Sequence, residues 1–312
     1  ERLSFPDAIR WLGKKYNEPV DDIPMNYTPA PPRPKPAPLP MLEIPRSYVR
    51  RTMEIGGDQT LFIYWLKHLP WDDEQRARLQ QTLWMYCVGG WKDGRVVFWQ
   101  IDHNGIPRAA KLMRYLPDGH RDKTQHPGWI YNQDGCRQAL DPDNHEIIKP
   151  LFGSHLLKAY PKAVVNIVES EKTALICATA YGNMEQNLWM ACGGLEFLKL
   201  DSIQTLIDEG RTIWIWPDKD GVEKWRDKVS HMLSDKVRIT TKFLEDFWIE
   251  ADGAKTDVAD IILRLMTHPE TANERKRDEV SEGEKILLAR QEWTTVHGDE
   301  PFLDPAELID PR

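Results

Sequence analysis

TIWIWPDKDG, residues 212–221, decides how the rest of the chain is read. Its opening residues are β-branched and aromatic, the composition of a strand. The run breaks at Pro217 into Asp218, Lys219, Asp220 and Gly221. An apolar strand that leads straight into two acids fits the carboxyl edge of an open parallel sheet, where α/β proteins place their ligands. In extended chain, side chains two apart point the same way. Asp218 and Asp220 are therefore expected to converge, with Lys219 directed elsewhere. Like charges that close repel unless a divalent cation lies between them. Oxygen-only ligands suit magnesium or manganese.

The surroundings support this placement. AVVNIVE (163–169) is a continuous apolar strand of the kind buried on both faces, and it ends in Glu169. A small-residue helix over residues 171–181 follows, then a strand in LWMACGG (188–194). DSIQTLIDEG (201–210) reads as a helix with Asp201 as N-cap and Gly210 as its stop. After the opening strand comes a helix with Val222, Trp225, Val229 and Leu233 on one stripe, then a strand in KVRITTKFL (236–244). Such alternation predicts a parallel sheet covered by helices. KTDVADIIL (255–263) adds Asp257 and Asp260 at the start of an apolar helix. Taken singly, each acid has a plainer account as a loop or helix-cap residue. Their ordered recurrence favours three acidic clusters meeting at one end of one sheet.

The rest of the chain divides by composition. Residues 1–23 read as an amphipathic helix and residues 24–45 as a proline-rich, semi-rigid connector. Residues 46–160 read as a smaller α+β subdomain, with helical periodicity before residue 86 and a hairpin at 96–115 whose turn holds Asn104-Gly105. Residues 161–267 form the parallel-sheet domain, and residues 268–312 a charged tail. Of 312 residues 41% are hydrophobic, and no apolar run is long enough to span a membrane. The four cysteines lack C-x-x-C spacing, which argues against zinc and disulfides and makes a reducing cytoplasm the default. The net charge of −8 counts against an extensive DNA-binding surface but leaves room for a local basic track. The first residue is Glu1, as expected of a processed or trimmed chain.

Together these motifs resemble the Toprim domain shared by DnaG-type primases, topoisomerases and OLD-type nucleases. IVESEKTALICATAYG (167–182) is similar to its glutamate motif, WPDKDG (216–221) to its Asp-x-Asp motif, and KTDVADIIL to the late acidic stretch of primases. SFPDAIRWLGKKY (4–16) resembles the segment after a primase zinc module, whose zinc ligands this chain lacks. Residues 86–115 and LFGSHLL (151–157) resemble the basic subdomain of primase-like proteins from mobile elements of Bacteroides-type bacteria.

The resemblance implies a magnesium- or manganese-dependent primase that makes short RNA on single-stranded DNA from nucleoside triphosphates, with a replicative helicase as partner. It implies Glu169, Asp218 and Asp220 as catalytic, with Asp257 and Asp260 sharing the metal. Lys172 and Lys219 would meet the triphosphate. Arg108, Lys111 and Arg114, with Arg121 and Lys123, would face the template. Thr173 stands where primase motifs often carry an aspartate. A Toprim nuclease and a non-catalytic DNA-binding replication protein remain alternatives.

Overall fold

The computed structural model describes residues 5–16, 37–55, 59–194, 197–198, 200–231 and 235–271. The chain forms two compact units, Glu1–Pro38 and Leu39–Arg312. In the first, helix α1 spans Phe5–Tyr16, a shorter stretch than the expected 1–23, with Lys14 and Lys15 at its C-terminal end. Most of the connector and most of the C-terminal tail lie outside the described residues.

The second unit begins with α2 (Arg46–Ile55), α3 (Leu61–Lys67) and α4 (Asp73–Met85). Asp72 caps α4 reciprocally with Gln75, satisfying amides that a helix start leaves unpaired. An antiparallel sheet follows in the order β1 (Gly89–Gly90), β2 (Val96–Ile101), β3 (Pro107–Met113), β4 (Gly128–Trp129). Every residue of β2 and β3 is buried. Alternation explains how: Val96 and Phe98 enter one apolar cluster, while Val97, Trp99 and Ile101 enter another on the opposite face. The hairpin is therefore an interior layer, covered on both faces.

After a short helix α5 (Arg137–Leu140), the parallel sheet is built from β5 (Val164–Val168), α6 (Glu171–Tyr181), β6 (Asn187–Ala191), α7 (Leu200–Asp208), β7 (Ile213–Ile215), α8 (Val222–Ser230), β8 (Val237–Ile239), α9 (Lys242–Phe247) and α10 (Val258–Thr267). The strand order is β6-β5-β7-β8, all parallel. The chain leaves β5 toward one side for β6 and returns on the other side for β7. The gap between the ends of β5 and β7 is thus the topological switch point, where such sheets bind ligands.

Several spans differ from expectation. The helix read from Asp201 starts one residue earlier, so Asp201 lies in its first turn. KVRITTKFL keeps only three strand residues before the chain turns into α9. The expected boundary at residue 160 falls inside one apolar core that runs from Phe62 and Phe98 to Ile215 and Ile261.

Candidate functional site

Glu169 is the first residue beyond β5, and Asp218 follows β7 by three. The switch point sets them side by side. The indole Nε1 of Trp225, buried in α8, donates to Glu169 Oε1 at 2.9 Å. Gly221 makes room for this bond. A Cβ there would stand 3.1 Å from the Trp225 ring and 3.2 Å from Glu169 Oε1, tighter than ordinary contact.

The Asp-x-Asp segment does not continue as extended chain. Asp218 has extended φ and ψ, but residues Lys219–Gly221 close a 3-10 turn through a Gly221 N to Asp218 O bond of 2.9 Å. Asp218 is half-buried and Asp220 exposed, so the pair is not the parallel fork that simple alternation predicts. The turn is fastened to the loop before α10: Lys219 N donates to Thr256 O (3.0 Å) and Asp220 N to Ala254 O (2.8 Å). This pairing brings the late acids to the site.

Asp257 is the N-cap of α10. Its Oδ1 accepts from Asp260 N at 2.9 Å, and Asp260 Oδ2 accepts from Asp257 N at 3.2 Å. Its other oxygen accepts from the Thr173 hydroxyl in α6. Thr173, which departs from the primase pattern, thus ties α6 to α10. Lys172 approaches Asp260 at 3.7 Å.

The Asp218 carboxyl feels the charge of the other four acids. Burial, then the charges of Glu169, Asp257, Asp220 and Asp260, push the Asp218 carboxyl from 3.8 up to about 8. Burial and Asp260 also raise Asp257, against lowering by Thr173 and Lys172. Among the described residues, no three acidic, histidine or cysteine side chains close tightly enough to enclose an ion. Carboxylate oxygens are nonetheless the donor type that magnesium takes, and one or two of them are commonly enough to hold it.

The expected cations divide. Arg108 is buried, donating to Asp102 Oδ2 at 2.8 Å, to Leu42 O at 3.2 Å and to Glu43 Oε1 at 3.3 Å. Lys111 is buried on Glu171, 3.1 and 3.0 Å from its two carboxylate oxygens. Neither side chain faces solvent, because both faces of the hairpin are covered. Arg114 lies at the hairpin's end, bonded to Asp93 O (2.7 Å) and Gln125 Oε1 (3.2 Å). Arg121 and Lys123 are exposed. The Lys219 ammonium stands 3.3 Å from the centroid of a Trp248 ring, beside an apolar recess of about 150 Å³.

Sequence reasoning missed Glu171, Trp225 as the partner of Glu169, and Thr173 as the partner of Asp257. The second acid of VESE was the available signal for Glu171. Trp225 read as packing because it sits on an apolar stripe.

Among solved structures, the chain is similar to the zinc-binding and RNA polymerase domains of the Aquifex aeolicus primase. Identity there is 14% and the TM-score 0.37, over 99% of this chain and 82% of that one. It is also similar to the E. coli primase catalytic core, with 16% identity and a TM-score of 0.35, over 80% of this chain and 74% of that one. No curated protein matches the sequence. A family model described as a domain of unknown function matches residues 60–219, just over half of the 312-residue sequence, and the chain belongs to that family, DUF6371.

Proposed function

We propose that the chain is a metal-dependent nucleotidyltransferase of primase type, which joins ribonucleotides into short primers on single-stranded DNA. The observation that carries the reading is the meeting of acids at the switch point: Glu169 just beyond β5, Asp218 and Asp220 beyond β7, and Asp257 and Asp260 brought there by the bonds from Lys219 N and Asp220 N to the loop before α10. Carboxylates gathered this closely repel one another and are suited to a divalent cation. The ordered motifs that resemble Toprim primases supply the reaction class.

Magnesium or manganese would be held by Asp218 and Asp220, with Glu169 completing or orienting the set and Asp260 beside it. Asp257 has one oxygen on Thr173 and the other on the Asp260 amide, so it acts chiefly by placing α10. A bound divalent ion would neutralise charge on the reacting phosphates and on the departing pyrophosphate.

The residues of the chain then have distinct tasks. The Trp225 indole fixes Glu169 in place. Lys172, beside Asp260, would meet a triphosphate together with Lys219, which leaves the Trp248 ring to do so. Exposed Arg121 and Lys123, with Arg114, give the template backbone its cationic contacts. In the reaction a 3′-oxygen bonds to the α-phosphorus of the incoming nucleotide as the bond to the bridging oxygen of pyrophosphate breaks.

The test is incorporation of labelled ribonucleotides on single-stranded DNA with magnesium or manganese. Wild-type protein is expected to make short RNA and Asp218→Asn to make none, a loss of at least about 100-fold given the size of transition-state charge effects. Metal-dependent shortening of the template without triphosphates would replace this reading with a phosphodiesterase. A fully active Asp218→Asn, Asp220→Asn double variant would remove the proposed site.

A further inference from the structure

We infer that Lys149, Trp129 and Phe197 form a subsite for one nucleotide of a single strand, with its phosphate on the lysine and its base on the exposed phenyl ring. The inference deepens the proposed function, and rests on it for the idea that a strand is led toward the carboxylates.

The subsite starts from a fixed ring. Trp129 lies in β4 directly opposite Lys111 of β3, and its ring stacks parallel to buried Tyr131 with centroids 6.0 Å apart and an interplanar angle of 7°. The Lys149 ammonium stands 3.8 Å from the centroid of the Trp129 ring and 5.5 Å from that of Phe197. An ammonium bracketed by two aromatic faces is held in position while keeping its full charge. Among the described residues Lys149 has no carboxylate partner, unlike Lys111 on Glu171 and Arg108 on Asp102. Burial and the nearby Lys111 charge hold its ammonium below the ordinary lysine value, the mark of a cation short of a counter-ion.

Phe197 supplies the second element. It is 51% exposed, a large ring that the apolar core does not claim. The ring lies against Gly194, where a Cβ would be in ordinary contact with it at 3.5 Å. Gly194 has φ +140, a conformation that side-chain-bearing residues rarely adopt.

The location completes the argument. Cys192, Gly193 and Gly194 prolong β6 at the same edge where β5 ends in Glu169. Lys111 Nζ reaches Gly193 O at 3.5 Å and Glu171 at 3.0 Å, which places the aromatic bracket next to the start of α6. Cationic side chains interleaved with exposed aromatic rings bind single strands without regard to base, because every base has a face to stack.

Binding of a fluorescein-labelled oligothymidylate, followed by anisotropy in EDTA, tests the subsite without any chemistry. Phe197→Ala is expected to weaken binding about tenfold, and Phe197→Trp to restore it. Lys149→Gln is expected to reduce the slope of log K against log salt by about 0.7, the value for one lost contact to a single-stranded phosphate. Wild-type affinity in Phe197→Ala, an unchanged slope in Lys149→Gln, or no binding by the wild type would each overturn the proposal. So would a loss confined to labelled ATP, since the subsite would then take a free nucleotide. If the wild type binds the oligonucleotide with this dependence but makes no RNA, only the catalytic reading falls. If it makes RNA while Phe197→Ala binds as the wild type does, only the subsite falls.

Discussion

The Asp218 carboxyl makes the site measurable without substrate. In the unfolded chain it titrates near its ordinary 3.8, whereas the folded chain holds the proton up to about 8. Between those values the folded state binds a proton that the unfolded state has released, so this group lowers stability as pH rises through that window. Asn cannot titrate. Asp218→Asn should match the wild type most closely near pH 4, gain on it steadily toward pH 8, and keep a constant lead above that. Urea unfolding of both proteins in EDTA across this range checks the prediction; a difference that does not vary with pH would contradict it. Magnesium should shrink the lead at pH 8 by stabilising the ionised wild-type site. The stabilising variant is thus expected to be the inactive one, as when a protein keeps repelling charges for function.

At the scale of elements, the contact between α6 and α10 is the joint that aligns the acids. The Thr173 hydroxyl donates to an Asp257 carboxylate whose other oxygen caps α10. Thr173→Val keeps the shape and removes the donor, leaving one oxygen of a buried carboxylate without its partner. A cost of about 1–3 kcal/mol is expected, with Thr173→Ser recovering most of it, as read by chemical denaturation. No change in Thr173→Val would mean that the bond does not hold the helices in register.

Most elements in this region were legible because each carries its own signal. The run VVNIV is apolar except for Asn166, whose side chain accepts from the Trp216 indole, and it is buried from its second residue on; Gly182 stops α6 with φ +53. The same glycine leaves room for Arg78, which donates to Thr179 O at 2.9 Å. The carboxylates were legible for the same reason: each closes a strand or opens a helix. What misled was chemistry that depends on distant partners. KVRITTKFL has a strand's composition, yet Phe243 and Leu244 are needed in the core on a helix. Arg108 and Lys111 have the composition of a template-facing track. Asp102 lies six residues from Arg108, but Glu171 is sixty residues from Lys111, and no local pattern announces that pairing.

For the molecule as a whole, Lys111 and Glu171 form the ionic tie between the antiparallel layer and the parallel one. The Glu171 side chain is 2% exposed and that of Lys111 11%. Removing one partner strands the other charge in the interior. Lys111→Met or Glu171→Gln is therefore expected to cost about 3–5 kcal/mol. The double variant Lys111→Met, Glu171→Met should cost less than the sum of the two single changes, since apolar replacement of both partners is often nearly neutral. Additive losses in urea denaturation would show that the two charges act separately.

The apolar core runs from Phe62 and Phe98 through Phe152 to Ile215 and Ile261 without a seam at the expected domain border. Its consequence is one of inheritance. Where two layers share an interior, a recombination event at residue 160 hands each descendant half of a core, and neither half can bury its own face. The hairpin layer and the acidic layer must therefore be passed on together. Change between descendants is then expected as substitution at exposed positions, which the shared core does not constrain, rather than as exchange of modules.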